Sequence, residues 1–428
     1  MSVRTMMLLV ATVVTVAVVA VARASEPAAR GDWNGDGVVD IRDVADLAAF
    51  VRDHYGEVVG QPPVTPLPTA TPVAPPTPTA TATVGTVEHV WLSPDELAAL
   101  PTTGPGWDQV MDEATSAAPR PAPGDQNWQG DTWALAAAYA CARLGQPCGA
   151  VSAYLADVAA AGWGSARSLA VGRNLPALVV AGEVAAVREP WWLGWLADTY
   201  TREWSDGRTL AECQRRRPNN WGTHCGAARV AVAAHLYAAT GDAGWLYELE
   251  DALNVWRGWT GDRAAYSGFR FGKLCWQADP SNPVPVNPAG ATLEVDGVPR
   301  DVDGVLPDDQ RRGGCPGDWP PEGENYVWEA LQGAVVAAEM LDHVREWLLG
   351  AYSAAPDPMW SWSDGAICRA VRWQYRVAGY PARGDDTWQV WVVNGGCGTD
   401  YLPRDGRDSG RPGKNMGWTL WTHGGGGP

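Results

Sequence analysis

From His89 onward, apolar residues return every three or four positions in blocks separated by Gly- and Pro-rich stretches. That is the period of helices that turn one face to a core. The spacing predicts helices over 131–144, 176–187, 222–240, 243–256, 326–347 and 366–377. Pro176 suits the first position of its helix, where no N–H is needed. Similar small-residue turns recur in AAAYACARLGQP, AAHLYAATGDAG and AAEMLDHVREW, which points to stacked helical hairpins. The expected fold is all-α, an (α/α) toroid or incomplete barrel whose long loops form a groove on one rim. The Gly-, Pro- and Asp-rich stretch 262–320 is too long for a mere connection and is a candidate for function.

The pattern before His89 is different and divides into three. Residues 1–24 carry Arg4, an apolar run from Met6 to Val21 and a small-residue site at Ala22-Arg23-Ala24, the three parts of a signal peptide; the run is short for a membrane anchor. This predicts a secreted protein with no membrane span after cleavage. In 28–55, Asp32, Asn34, Asp36, the Val38 carbonyl, Asp40 and Asp43 occupy the first, third, fifth, seventh, ninth and twelfth places of a calcium loop, with Gly37 sixth. Hard oxygen donors at that spacing predict Ca2+. Asp43 in the twelfth place resembles a dockerin repeat, which implies a cohesin-like or cell-surface partner; one such repeat is present, where a dockerin normally has two. Residues 56–88 form a Pro/Thr tract that cannot build a core and is expected to act as an extended spacer. The main domain is then 89–428.

Within that domain one segment gathers polar groups at the head of a small-residue helix: RRRPNNWGTHCGAARVAVAAHLY, Arg215 to Tyr237. Pro218 disfavours helix before it and Asn220 is a good N-cap, so the helix should begin near Trp221 or Gly222. His224 would sit in the first turn, where the helix dipole opposes imidazolium formation and keeps the ring neutral. His235, eleven residues on, reads as a core histidine. The simpler reading of the whole segment is a buried helix with a polar cap.

Composition narrows the partners. A net charge of -17 excludes a nucleic-acid binder, which needs a basic face. Trp outnumbers Phe 25 to 3; indole faces stack on sugar rings, so carbohydrate is the first substrate class to consider, with core filling as the alternative. All eight cysteines lie between Cys141 and Cys397, which reads as a disulfide framework in a secreted chain. Spacing does not select a connectivity; joining nearest neighbours would pair Cys141 with Cys148, Cys213 with Cys225, Cys275 with Cys315 and Cys368 with Cys397.

Three polar clusters carry candidate chemistry: Asn219, Asn220 and His224; Arg263, Tyr266, Arg270 and Lys273; and Arg311, Arg312, Asn325 and Tyr326, the last two at a helix start. Amides, guanidinium groups, phenols and an imidazole are what β-elimination from a uronic acid requires. The C5 proton becomes removable once the adjacent carboxylate is neutralised by amides or arginine, and a phenol supplies a proton to the departing oxygen.

The runs NNWGTH, GVLPDDQRRGG, ENYVWEALQGAVVAAEML and RPGKNMGWTLWTHG resemble, in this order, the alginate-lyase-like polysaccharide lyases of (α/α) toroid fold, most closely those grouped near the glucuronan lyases. The resemblance covers nearly all of 90–424. It implies elimination from an anionic β-linked polyuronate without a catalytic cofactor. It assigns Asn220 and His224, Tyr266 or Tyr326, and Arg263 to catalysis, and Asn219, Trp221, Arg270, Arg311, Arg312 and Asn325 to substrate binding. Better-known alginate lyases place His directly after Asn, whereas Trp221, Gly222 and Thr223 intervene here. Two other functions are consistent with the residues. A glycoside hydrolase would use two of Asp131, Asp308, Asp309, Glu322 and Glu324, and a non-catalytic carbohydrate-binding protein would need aromatic platforms alone.

Overall fold

Helix after helix opens on a capping residue or a proline. Ser93 and Glu96 form a reciprocal capping box at α1 (Pro94–Ala99), and Pro105 opens α2 (Pro105–Ala114). The chain continues through α3 (Gly130–Arg143), α4 (Gly149–Ala161), α5 (Ser168–Val184) and α6 (Pro190–Thr201). Thr209 and Glu212 box the start of α7 (Leu210–Arg216), which leads through Pro218 into α8 (Asn220–Thr240) and α9 (Ala243–Thr260). Such caps satisfy the orphan N–H groups of a first turn and fix where each helix begins.

These elements come from a computed structural model that describes residues 90–345, 347, 357–407, 409 and 412–424. The chain divides into two units, Met1–Thr81 and Ala82–Pro428, and all described residues belong to the second. The signal sequence, the calcium repeat with Asp32, Asn34, Asp36, Val38, Asp40 and Asp43, and the Pro/Thr tract lie outside the described residues.

The long stretch after α9 holds an antiparallel hairpin, β1 (Thr292–Val295) with β2 (Val298–Asp301), in which Thr292 faces Asp301, and the short α10 (Pro307–Gln310). Then come α11 (Asn325–His343), α12 (Trp362–Arg376), α13 (Trp388–Cys397) and α14 (Thr419–Thr422). The described part is thus mostly helical. Among the described residues no helix is long and apolar enough to cross a membrane.

α8 is the axis of the packing. It lies against α5, α11, α9 and α7, and its Ala, Gly and Val residues are buried, because only small side chains let four neighbours approach one helix. Tryptophan fills much of the interior: Trp91, Trp192, Trp328 and Trp388 are fully buried in the main core, and Trp276 and Trp373 in a second, smaller one. Indole brings a donor that phenyl lacks. Trp256 donates to the Ala334 carbonyl (3.2 Å), Trp259 to Pro218 (2.9 Å) and Trp418 to Thr132 (2.9 Å). Part of the Trp excess therefore ties neighbouring helices and connections to one another through the indole N–H. The four disulfides join nearest neighbours, 141 to 148, 213 to 225, 275 to 315 and 368 to 397.

Several boundaries differ from the periodic pattern. Pro176 stands inside α5, which begins at Ser168. Asn219, not Asn220, caps α8 by accepting from the Trp221 N–H, so His224 falls in the second turn. α11 ends at His343 rather than 347. α12 starts with Ser363, Asp364 and Gly365 in left-handed conformation, and is regular only from Ala366. Eight further α-helices among the described residues, at 94–99, 105–114, 149–161, 190–201, 210–216, 307–310, 388–397 and 419–422, lie outside the predicted ones.

Candidate functional site

The interior proline in α5 sets up the site. Pro176 has no N–H to give to the Gly172 carbonyl one turn back. The Asn415 side-chain amide donates to that carbonyl instead, and the Asn415 backbone N–H donates to the next one, Arg173 O, at 2.7 Å. Asn415 adopts φ +76° to reach both, a conformation asparagine tolerates better than most residues. With its amide nitrogen committed, Asn415 turns its Oδ1 to the His224 ring, where it accepts from Nδ1. This defines the neutral tautomer: Nδ1 carries the proton and Nε2 carries the lone pair.

Backbone packing holds the imidazole in place. A Cβ on Gly172 of α5 would lie 2.9 Å from the Cys225 N and the His224 carbonyl carbon; one on Gly333 of α11 would lie 2.3 Å from the Thr223 carbonyl carbon. Only glycine permits α5 and α11 to close on α8 from both sides at this level. The Cys213–Cys225 disulfide also staples α7 to this turn.

His224 is 0% exposed and its Nε2 has no hydrogen-bond partner among the described residues. The Glu329 carboxylate lies 3.8 Å from it and is itself paired with the Arg173 guanidinium. Burial holds the His224 pKa well below the usual imidazole value; the Arg173 and Lys414 charges lower it further, and the Asn415 bond opposes them. The ring is therefore neutral at pH 7. Burial also lowers Arg173, to about 10, which leaves it charged at that pH.

Further polar groups complete the cluster. Gln332 of α11 donates to Asp386 at 2.7 Å and accepts the Lys414 backbone N–H at 3.1 Å, while the Lys414 ammonium lies 3.6 Å from Asp385. Asp386 is pushed up to about 8, mainly by burial and by the neighbouring Asp385. Asp131, buried at the start of α3, is also pushed up to about 8 by burial, with the Lys414 charge opposing. On α11, Tyr326, Glu329 and Gly333 follow at three- and four-residue spacing and so share one face. Tyr326 is 41% exposed and lies near Arg173. The stripe thus runs from an exposed phenol to the buried histidine.

Of the residues expected from sequence, Asn220, His224 and Tyr326 belong to this neighbourhood. Asn220 is buried one turn before His224; its backbone N–H donates to Asp309 at 3.1 Å and its side-chain oxygen has no partner among the described residues. Asn219 donates to Asp308 at 2.9 Å, and Arg311 pairs with the same carboxylate at 2.9 Å. Trp221 carries the Arg217 guanidinium 4.1 Å above its ring, and Arg312 lies 4.5 Å over Tyr326. Asn325 is half-buried at the first position of α11.

Tyr266, Arg263 and Arg270 fall elsewhere. The Tyr266 hydroxyl donates to the Arg215 carbonyl at 2.6 Å and its ring packs edge-on to Phe269. With Arg263, Phe269 and Phe271 it lines a separate cleft of about 110 Å³. Arg270 is tied by its backbone to the Arg216 carbonyl. Among the described residues, none of the three hydrogen-bonds to His224 or to its partners Asn415, Arg173 and Glu329.

Sequence reasoning missed Arg173, Glu329, Gln332 and Asp386, and did not single out Lys414 and Asn415 within the RPGKNMGW run. One signal was present: Arg173 and Asn174 precede a proline inside the apolar run SLAVGRNLPALVVAGEV, an odd place for a charge. Among the described residues, no group of His, Cys, Asp or Glu is arranged to hold a metal ion. The chain finds no match among protein-family models, curated proteins or solved structures.

Proposed function

We propose that the chain is a secreted lyase that cleaves a uronic-acid polysaccharide of glucuronan or alginate type by β-elimination, on a toroid of helical hairpins displayed by an N-terminal calcium repeat. The observation that carries this reading is a neutral, oriented imidazole whose free Nε2 faces an arginine–carboxylate pair. That arrangement combines a base with a carboxylate receptor.

In the reaction, the uronate carboxylate takes the place of Glu329 on Arg173, and this separation uncovers Nε2. Arg173, together with the unpartnered Asn220 amide, neutralises the sugar carboxylate and makes its C5 proton removable. His224 Nε2 takes that proton, the C5–H electron pair forms the C4–C5 double bond, and the C4–O bond breaks. The departing oxygen receives the Tyr326 phenolic proton. In this mechanism Arg173 has the role that the family resemblance assigned to Arg263, and Tyr326 is the acid rather than Tyr266, because Tyr326 shares a helix face with Glu329.

The hydrolase reading is less favoured. Asp308 already accepts from Asn219, Arg311 and the Gly272 N–H, and Asp309 is fully buried with its pKa raised well above the carboxylate range by burial and by Asp308. These two carboxylates anchor the entrance of α8. The test is absorbance at about 235 nm, the band of an unsaturated uronate product, with glucuronan, alginate, pectate and hyaluronan as substrates. A rise with one polymer that disappears in His224→Gln supports elimination. New reducing ends without absorbance would replace it with hydrolysis.

A further inference from the structure

Some arginines of this acidic protein are matched to a carboxylate and others are not. Arg173, Arg229, Arg257, Arg311, Arg369 and Arg372 all have acidic partners within 4.0 Å. Two of the unmatched arginines act on one another, from the segments before α8 and after α10. Arg217, just before α8, lies on the Trp221 ring, and Arg312, just after α10, lies on the Tyr326 ring. Among the described residues neither has an ion pair or a side-chain hydrogen bond. The bonds from Asn219 and Arg311 to Asp308 tie the two segments together, and the charges of Arg312 and Arg208 weigh against that of Arg217, which burial lowers to about 10.

Holding like charges together opposes folding; the nearby Asp206 and Asp308 charges offset part of that for Arg217, and the aromatic shelf another part. The shelf does orient each group, since a guanidinium flat on a ring keeps its N–H edge free for a planar anion. The fork matches carboxylate and phosphate oxygens alike, so the choice of a carboxylate rests on the uronate of the lyase reading.

We propose that Arg217 and Arg312 form a second carboxylate subsite, which binds the uronate next to the one that reacts. Its placement rests on the lyase reading too: Arg312 sits on Tyr326, the proposed acid, so the subsite falls on the leaving-group side of the broken bond. The preferred substrate is then a run of contiguous uronates, and a polymer that alternates uronate with a neutral sugar leaves the subsite unfilled.

The experiment titrates a β-linked triglucuronate and its carboxyl-reduced counterpart into the full-length protein by calorimetry, for wild type, Arg312→Ala and Arg217→Met. Arg312 is exposed, so its variant tests the site even if Arg217→Met fails to fold. The charged trisaccharide should bind wild type at least about tenfold more tightly than the reduced one, as expected for a charge-assisted bidentate contact. Arg312→Ala should lose about tenfold and show a shallower salt dependence. Equal affinity for the two sugars, no wild-type binding, or no loss in Arg312→Ala would overturn the subsite. Elimination is read separately by absorbance: binding lost in the variant without any elimination by wild type keeps the subsite and removes the lyase reading. Elimination with KM unchanged in Arg312→Ala does the reverse.

Discussion

Two histidines on α8, eleven residues apart, are both 0% exposed, and each has Nδ1 bonded and Nε2 without a hydrogen-bond partner among the described residues. α5 supplies the surroundings of both: Gly172 and Arg173 near His224, and Glu183 at 3.1 Å from His235. The difference is the kind of partner. His235 meets a buried carboxylate that also accepts the Val90 N–H at 2.9 Å, so its pair fastens the start of the described chain to the core. His224 meets a neutral amide, with the Arg173–Glu329 pair facing its other nitrogen. Burial alone does not separate structural from chemical histidines; the charge and freedom of their neighbours do.

The largest effect should come from exchanging the two roles. His224→Gln is expected to lower elimination about 10²–10⁴-fold, the usual span for a general base, with the fold kept. His235→Gln should leave the rate little changed at permissive temperature. It should cost about 3–5 kcal/mol of stability, as breaking a buried pair does. Denaturant unfolding and rate assays on both variants decide it. Loss of activity without loss of stability in His235→Gln would void the distinction.

The Asn415 contact allows a finer test, through pH and tautomer. In wild type the His224 pKa lies well below 6.5, so the acid limb of kcat/KM should also lie well below that pH. Asn415→Asp puts a negative charge against Nδ1, which favours imidazolium, and the limb should move to higher pH. Pro176→Ala restores an N–H that competes for the Gly172 carbonyl and releases the Asn415 amide. Nitrogen-15 spectra of the ring should then lose the pure Nδ1–H pattern. His235, in the same spectra, should not respond to either change.

How much of this is legible in sequence follows from the same contrast. The α8 segment, the starts of α3 and α9 and the regular part of α12 depend on local spacing, and periodicity finds them; the disulfides follow the nearest-neighbour pairing, which spacing allowed without selecting it. α5 was truncated because Pro176 reads as a helix start, when its missing N–H is compensated by Asn415, far along the chain. Arg173, Glu329 and Asn415 come together only through two glycine contacts between helices, and no local pattern encodes a contact between helices. Tyr266 and Arg263 looked equivalent to Tyr326 and Arg312 on composition. What separates them is the hydroxyl bond from Tyr266 to the Arg215 carbonyl, which sequence does not show.

The smallest effect concerns the cost of the polar region around His224, a cost that the His235 pair does not share. Asp131 is fully buried and titrates at about 8 in the folded chain, against an ordinary value of 3.8. A group whose pKa rises on folding contributes stability that is complete below the unfolded pKa and is lost as pH rises through the folded one. Asp131 should therefore weaken the fold progressively from about pH 4 to pH 8. Asp386, raised to about 8, acts with the same sign. Asp131→Asn removes one of the two ionisations, so the fall in Tm between pH 5 and pH 8 should shrink. A thermal scan at the two pH values measures it. An unchanged slope would mean that Lys414 already compensates the Asp131 charge, and that the His224 neighbourhood is held at less expense than its burial implies.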